Sequence, residues 1–378
     1  MRRYKYLIAK LLFCVSLAAQ AAAPLPSPPQ LAAKSYLLMD FHSGRVIAKN
    51  NPDMRVEPAS LTKMMTAYVV SAELQMGTIA LTDQVTVSEK AWRTEGSRMF
   101  IEVNKKVLVD ELIKGLIIQS GNDAAVALAE HIAGSEEGFA TMMNDFAIKL
   151  GMVGTHFVNS TGLPHPDHYT TAHDMAILAQ AVIADYPGEY GLYAVRDYTF
   201  GGIKQHNRNK LLWRDATVDG IKTGHTESAG FCLVASAVRK NMRLITVVLG
   251  TASDKARSDQ SQRLLNYGFR FYETRKVYAA GQKVKTARIW MGAEQELPLG
   301  VMQDVYITVP RGGDEGLTTE FELIEYIQAP AQLGQSYGKT RVKSGTEIVA
   351  EAKLVALAKV EEGSFFQQAR DSILRYFE

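Results

Sequence analysis

The run Pro58-Ala59-Ser60-Leu61-Thr62-Lys63-Met64-Met65-Thr66 decides how this chain is interpreted. It places a serine and a lysine, Ser60 and Lys63, three positions apart at the start of a stretch with helical periodicity. Residues three apart on a helix lie on one face, so the pair is predicted to line a cleft. Apolar residues that recur at helical spacing predict a separate face packed on the core: Leu61, Met64, Met65, Tyr68, Val69 and Ala72.

This serine and lysine can form a nucleophile and its base. A serine hydroxyl is a weak nucleophile and needs a base within hydrogen-bonding distance. Lys63 can be that base if burial or positive neighbours lower the pKa of its ammonium group. Taken alone, the pair is more typical of a helix N-cap serine followed by a solvated lysine.

Two further strings follow in the chain and support the catalytic interpretation. Ser120-Gly121-Asn122 separates two predicted helices, 107–118 and 123–132; its serine can relay a proton and its amide can hold a peptide. Lys222-Thr223-Gly224 precedes an apolar, strand-like run, 230–238; its lysine and threonine can bind a carboxylate, and its glycine lets substrate backbone approach closely. Each string alone is more typical of a turn or loop, but their order and separation favour one shared site.

The remaining pattern predicts two structural regions. Residues 35–48 are predicted as a hairpin, 230–250 as two paired antiparallel strands, and 174–183 and 258–274 as helices. From Lys276 to about Gly363, short β-prone runs punctuated by glycine and proline predict a small all-β domain.

Composition excludes several other classes of function. The net charge is +2, from 42 basic and 40 acidic residues, and no basic block suggests binding to nucleic acid. His156, His165, His168 and His173 match no zinc motif, so they are predicted to be turn and surface residues rather than metal ligands.

The N-terminus predicts export. Basic residues at positions 2, 3, 5 and 10 precede a short apolar run, 11–19, and small residues that fit a cleavage site. Residues 1–23 are therefore predicted to be a signal peptide. Of the two cysteines, Cys14 lies in that segment, so Cys232 would remain alone in the mature protein, as a core residue without a disulfide.

The C-terminal segment, 364–378, predicts an amphipathic helix. Phe365, Phe366 and Ile373 belong to its apolar arc, while Asp371 and Arg375 lie opposite. Such a helix is too short to span a bilayer but can lie in the membrane interface. Its formal charge is zero, which departs from a strongly basic anchor, and packing on the protein itself is the alternative.

Together these strings resemble the low-molecular-mass penicillin-binding proteins of the D-alanyl-D-alanine carboxypeptidase family, the penicillin-binding protein five type. The likeness covers nearly the whole mature chain. Besides the opening run, the stretches that carry it are Gln119-Ser120-Gly121-Asn122-Asp123-Ala124 and Asp219-Gly220-Ile221-Lys222-Thr223-Gly224-His225-Thr226.

The resemblance implies a fold and a division into domains. The expected fold class is α/β (α+β): a serine β-lactamase/transpeptidase-like catalytic domain, a smaller all-β domain and a C-terminal amphipathic helix. The expected boundaries are 1–23 for the signal peptide, 30–275 for the catalytic domain, 276–363 for the β-rich domain and 364–378 for the helix. The protein would be periplasmic and peripherally attached to the inner membrane.

The resemblance also implies a mechanism. Ser60 would attack the carbonyl between the two terminal D-alanines of a peptidoglycan stem peptide, and Lys63 would take its proton. Ser120 and Lys222 would assist proton transfer, and Asn122 would position the peptide. β-Lactam antibiotics would acylate Ser60 because they mimic the substrate, and no metal or other cofactor is expected.

Five further residues are expected to bind substrate. Arg208, beside Thr223, is the candidate for the terminal carboxylate, and Arg257 is an alternative that is equally typical of a structural arginine. Gly224 would admit the substrate backbone, and the backbone N–H groups of His225 and Ser60 would form the oxyanion hole.

Two other functions stay open from the sequence. A serine β-lactamase shares the three strings, but class A enzymes need a glutamate that activates water, and residues 159–174 contain none. A catalytically inactive wall-binding protein is the third interpretation, against which the complete set of catalytic strings argues.

Overall fold

The computed structural model of this chain describes residues 25–312 and 316–376, so the predicted signal peptide lies outside the described residues. The strands are β1 Ser35–Asp40, β2 Val46–Asn50, β3 Gln84–Thr86, β4 Lys106–Leu108, β5 Asp197–Phe200, β6 Ile203–His206, β7 Val218–Thr226, β8 Gly230–Arg239, β9 Met242–Thr251, β10 Tyr272–Tyr278, β11 Lys283–Arg288, β12 Glu296–Gly300, β13 Val305–Pro310, β14 Leu317–Leu323, β15 Ser336–Ser344 and β16 Glu347–Ala356. The α-helices are α1 Thr62–Met76, α2 Glu89–Arg93, α3 Val109–Lys114, α4 Asn122–Ala133, α5 Glu136–Leu150, α6 Ala172–Asp185, α7 Pro187–Tyr190, α8 Leu211–Arg214, α9 Asp254–Phe271 and α10 Phe365–Arg375.

A five-stranded antiparallel sheet organises the first region, in the order β2-β1-β9-β8-β7. The predicted hairpin, β1 with β2, and the predicted pair, β8 with β9, are both confirmed. Helix α9 covers one face of the sheet, while α1, α4 and α6 belong to the larger core on the other face. The sheet is therefore buried between two layers of helices, and β7 forms one edge of it.

Helix α1 is buried all round rather than on one face. Its residues from Thr62 to Glu73 are all buried, including Lys63, so the prediction of an amphipathic helix with a separate cleft-lining face is wrong. The physical reason is position: a helix that lies between the sheet and other helices has no solvent face. Lys63 thus reaches the site from within the core.

Three other predictions from sequence patterns need correction. The predicted helix 107–118 begins only at α3, after strand β4, and continues as a π-helical turn, Gly115–Gln119. The predicted helix 258–274 is α9, which starts at Asp254 and ends at Phe271, where β10 begins. The string Lys222-Thr223-Gly224 lies inside strand β7, which the sequence pattern did not reveal because three of its nine residues are Gly or Lys.

The second region is all-β, so the predicted combination of a mixed α/β domain with a smaller β-rich one is confirmed. Strands β11-β12-β16-β15-β14 form its main sheet, and β10 pairs with β13. The predicted boundary at residue 275 falls inside β10. The β1–β2 turn contacts this region: Ser43 Oγ lies 2.6 Å from Thr308 Oγ1, and Arg45 donates to the Thr308 carbonyl at 2.8 Å.

Helix α10 packs on the β-rich region through its polar side. Asp371, only 2% exposed, accepts a hydrogen bond from the Met291 N–H at 2.8 Å, and Arg375 lies 4.0 Å from the ring centre of Tyr326. Phe365 and Phe366 are 79% and 82% exposed. Among the helices of the described ranges 25–312 and 316–376, none has both the length and the apolar character needed to cross a membrane.

The packing of α9 on the sheet predicts opposite effects for two glycine substitutions. A Cβ at Gly268 would lie 2.5 Å from Leu244 Cδ1 and 3.0 Å from Leu38 Cδ2, so Gly268→Ala should lower the free energy of unfolding by about 1–3 kcal/mol through overpacking. Gly188→Ala is the matched control, because a Cβ there meets open space. It should raise stability by about 0.4–1 kcal/mol. Urea unfolding measures both, and equal effects would contradict this packing.

Candidate active site

The three strings meet at one end of α1: Lys63 bonds to the second string through Asn122, and Ser120 of the second string bonds to Lys222 of the third. Its Nζ donates hydrogen bonds to Ser60 Oγ at 3.2 Å, Asn122 Oδ1 at 2.6 Å and the Thr161 carbonyl at 2.6 Å. Ser60 stands in a 3₁₀ turn, Ala59–Leu61, directly before the helix. The serine and lysine predicted to act together are therefore within hydrogen-bonding distance.

Burial makes Lys63 suitable as a base. Its side chain is 1% exposed, and loss of hydration lowers the pKa of its amine to about 7, with the positive charge of Arg208 adding to the effect. Close to neutral pH a large fraction of Lys63 is therefore uncharged and able to accept a proton.

A second hydroxyl–amine pair faces the first. Lys222 Nζ donates to Ser120 Oγ at 2.8 Å and to the Thr223 carbonyl at 3.1 Å. Burial, followed by the positive charge of Lys63, holds the pKa of Lys222 well below its usual value. Ser120 has a left-handed backbone conformation, with φ of 64°, at the end of the π-helical turn. This turn directs the chain from α3 into α4 and brings the second pair to the site.

Asn122 is held by the segment 95–101, which crosses the site. Its Nδ2 donates to the Glu95 carbonyl at 2.5 Å, and its backbone N–H donates to the Ser97 carbonyl at 2.6 Å. The neighbouring buried carboxylate, Asp123, accepts backbone N–H groups from Met99, Phe100, Ile101 and Ala124. The Asn122 side-chain oxygen, which accepts a hydrogen bond from Lys63, is thereby held in one orientation.

Strand β7 forms the opposite wall of the site. It carries Lys222, Thr223 and Gly224 and pairs with β8 alone among the described strands, so its other edge faces the cleft. A Cβ at Gly224 would lie 2.9 Å from the Pro58 carbonyl oxygen. Gly224 therefore packs closely against the turn that carries Ser60.

A cleft of about 340 Å³ opens beside Ser60. Its lining contains seven of the ten predicted site residues and four that sequence reasoning missed. The predicted ones are Ser60, Ser120, Arg208, Thr223, Gly224, His225 and Arg257; the others are Ser97, Lys210, Phe231 and Asp254. 

Lys63, Asn122 and Lys222 lie behind these walls: Lys63 donates hydrogen bonds to Ser60 and Asn122, and Lys222 donates one to Ser120.

The two arginines of the cleft differ in how they are held. Arg208 is exposed, and the asparagines on both sides of it are buried; Asn209 donates to the Gly220 carbonyl at 2.9 Å, which ties this segment to β7. Arg257 is buried and donates to the Gly224 carbonyl at 3.0 Å and to Asp254. Arg208 is therefore the arginine available to a carboxylate in the cleft, while Arg257 supports the wall.

The loop before α6 packs against the site at Lys63 and Ala59, and the sequence analysis did not predict this contact. Thr161 contributes only its carbonyl oxygen, which leaves no signature in a sequence. A Cβ at Gly162, where φ is +85°, would lie 1.8 Å from the Ala59 carbonyl oxygen, so this loop packs directly beneath the turn that carries Ser60. His168 is only 2% exposed, so its predicted position at the surface is wrong.

The remaining predictions about the site concern metals and cysteine. Over residues 25–312 and 316–376, no group of three or more His, Cys, Asp or Glu side chains could hold a metal ion. Cys232 is fully buried, and burial raises the pKa of its thiol to about 11, in keeping with the predicted core residue.

Comparison with protein families gives two matches along the chain. Residues 22–253 match a family described as D-alanyl-D-alanine carboxypeptidase, and residues 272–362 match the C-terminal domain of penicillin-binding protein 5. The chain is 42% identical to D-alanyl-D-alanine carboxypeptidase DacA of Escherichia coli K12, over 93% of this chain and 90% of that protein.

Solved structures give the same likeness. Penicillin-binding protein 5 from Haemophilus influenzae superposes with a TM-score of 0.85 at 43% identity, covering 89% of this chain and all (100%) of that one. Penicillin-binding protein D2 from Listeria monocytogenes, in an ampicillin-bound form, has a TM-score of 0.60 at 27% identity and covers 65% of this chain and 100% of that one.

Proposed function

The chain belongs to the D-alanyl-D-alanine carboxypeptidase family, and on this premise we propose that Ser60 is the nucleophile with which it cleaves peptidoglycan stem peptides. The predicted family and the predicted enzyme class, a serine peptidase, are confirmed by the family match and by the identity to DacA. The observation that carries the roles of the individual residues is the hydrogen bond between the buried amine of Lys63 and Ser60 Oγ.

Acylation uses the first hydroxyl–amine pair. Neutral Lys63 takes the proton of Ser60 Oγ, which bonds to the carbonyl carbon between the last two D-alanines. The backbone N–H groups of Ser60 and His225 stabilise the oxyanion, and Arg208 with Thr223 binds the terminal carboxylate. Asn122 holds both Lys63 and the peptide in register.

Release of D-alanine uses the second pair. The carbon–nitrogen bond breaks, and the leaving amine receives a proton from Ser120, which Lys222 holds by its hydrogen bond. The proton that Lys63 took from Ser60 then restores the Ser120 hydroxyl. Water then attacks the acyl-enzyme, a proton returns to Ser60 Oγ, and the shortened stem peptide departs. β-Lactams enter the same path as mimics of D-Ala-D-Ala. The Listeria relative has been solved in an ampicillin-bound form, which supports this proposal.

Two observations favour a carboxypeptidase over a serine β-lactamase. The loop from 159 to 174 contains no glutamate to activate water. In this loop Gly162 packs against the Ala59 carbonyl, and the Thr161 carbonyl accepts a hydrogen bond from Lys63. The loop therefore serves to position the base. An inactive wall-binding protein would have no need of two buried amines, each bonded to a serine hydroxyl.

Loss of the Ser60 hydroxyl is the central test. Ser60→Ala should abolish both D-alanine release from a pentapeptide and covalent labelling by fluorescent penicillin, because no bond to the acyl group can form. Release is measured by coupled D-alanine oxidation, and labelling is measured on a denaturing gel.

Ser71→Ala, at a buried serine of α1 away from the cleft lining, is the matched control and should keep both activities. D-Alanine release that survives Ser60→Ala would refute the mechanism. Hydrolysis of penicillin by the wild type at a rate comparable with its release of D-alanine would instead favour the β-lactamase.

Acylation should depend on pH through Lys63. Since the pKa of this amine is about 7 and the neutral form is the base, the acylation rate should level off above about pH 8. Below pH 7 it should fall by about tenfold per pH unit, as protonation removes the base. Second-order rate constants for penicillin labelling between pH 5 and 9 measure this, and a flat profile would contradict the role of Lys63.

We further propose that the protein is exported to the periplasm and attached peripherally to the inner membrane through α10. The exposed phenylalanines of this helix face away from the protein while its polar residues hold it in place. A soluble protein that packed this helix for stability alone would bury the apolar side instead. The predicted signal peptide at residues 1–23 supports export.

Replacement of the exposed phenylalanines tests attachment in a chain that begins at Pro24. The double variant Phe365→Ser/Phe366→Ser should lose most sedimentation with phosphatidylethanolamine–phosphatidylglycerol vesicles, since each buried ring contributes about 1.5–3 kcal/mol. Ile148→Ser/Val153→Ser is the control, because these residues are 77% and 93% exposed on the catalytic domain. Equal sedimentation of both double variants would exclude α10 as the anchor.

A further inference from the structure

His168 makes two hydrogen bonds inside the protein, one through each ring nitrogen. Nδ1 accepts the backbone N–H of Val158 at 3.1 Å, and Nε2 lies 2.7 Å from Thr62 Oγ1. Because a neutral imidazole carries one hydrogen and Nδ1 is the acceptor, Nε2 carries that hydrogen and donates it to Thr62. The ring is thus set in one neutral form between a loop and helix α1.

These bonds connect two elements of the catalytic site. Thr62 lies between Ser60 and Lys63 in sequence, and Val158 begins the loop whose Thr161 carbonyl accepts a hydrogen bond from Lys63 Nζ at 2.6 Å. A second hydrogen bond joins α1 to the loop nearby: Thr66 Oγ1 donates to the Ser160 carbonyl at 2.7 Å. His168 is the member of this set that fastens both the beginning and the end of the loop.

We propose that His168 is a positioning residue for Lys63: its neutral ring holds the 158–168 loop against α1, and so places the Thr161 carbonyl that orients the base. The proposal rests on the proposed roles of Ser60 and Lys63. His168 has no contact with substrate in this scheme; it acts through Thr62, Val158 and Thr161.

The surroundings favour the neutral ring. The charged and titratable groups that face it are Lys63 from α1, His165 from its own loop and His156, which lies two residues before that loop. Burial first, and then these positive groups, lower the pKa of His168 to about 4. Since the folded pKa lies below the unfolded value of about 6.5, stability from this contact is complete above pH 6.5 and is lost as the pH falls towards 4.

Two substitutions separate the hydrogen bonds from the presence of a side chain. A glutamine amide offers one donor group and one acceptor oxygen, so His168→Gln can keep both bonds. His168→Ala removes both. Thr62→Val removes only the hydroxyl that receives Nε2–H and retains the side-chain volume, so it tests the same contact if the alanine variant folds poorly.

The experiment measures kcat and KM for D-alanine release and the pH profile of penicillin acylation. For His168→Ala and Thr62→Val, kcat should fall by about tenfold with KM changed less than about twofold, because the base is misplaced while the carboxylate site is intact. The acid limb of acylation should move to lower pH, since a carbonyl that accepts from the ammonium form raises the pKa of Lys63. His168→Gln should remain within about twofold of the wild type.

The outcomes separate this proposal from the proposed function. Absence of labelling in the wild type would refute the role of Ser60. Normal labelling in the wild type with an unmoved acid limb in His168→Ala and Thr62→Val would overturn the positioning role alone, as would equal impairment by glutamine and alanine. His165→Gln, an exposed histidine of the same loop, is the matched control and should match the wild type.

Discussion

The burial of the Lys63 amine is the constraint on which the rest of this structure depends. A lysine in the core would be costly as an unpaired charge, and the protein meets that cost by giving Nζ three oxygen partners and by lowering its pKa to about 7. The partners come from three separate segments of the chain. Each segment must therefore be fixed to within hydrogen-bonding tolerance for the base to work.

Much of the polar structure around the site serves that purpose. Asp123 ties down the segment that holds Asn122, and His168 ties down the loop that carries Thr161. The glycines at 162 and 224 allow two segments to approach the turn that carries Ser60 more closely than any side chain would permit. Electrostatics and backbone packing act together here, since a displaced acceptor would change both the position and the pKa of the base.

The β-rich region and α10 give the molecule a second, differently organised end. Thr308 joins the region to the β1–β2 turn by hydrogen bonds, and Asp371 joins α10 to the region. A helix held by its polar side presents its phenylalanines outward, which suits contact with an apolar surface. The segment's zero formal charge means that such contact would rely on burial of these rings rather than on attraction to anionic lipid.

The sequence by itself determined the family, the enzyme class and the two-region architecture, because the residues that carry the family resemblance stand in short local strings. It also predicted the hairpin and the β8–β9 pair, because their apolar, β-prone runs and the turns between them are local features. It failed where position in the fold overrides pattern: α1 is buried all round, β7 was hidden by its glycines, and His168 lies inside rather than on the surface. Only the tertiary structure decided that a backbone carbonyl from Thr161 accepts a hydrogen bond from Lys63, because main-chain atoms are the same in every residue and carry no sequence signal.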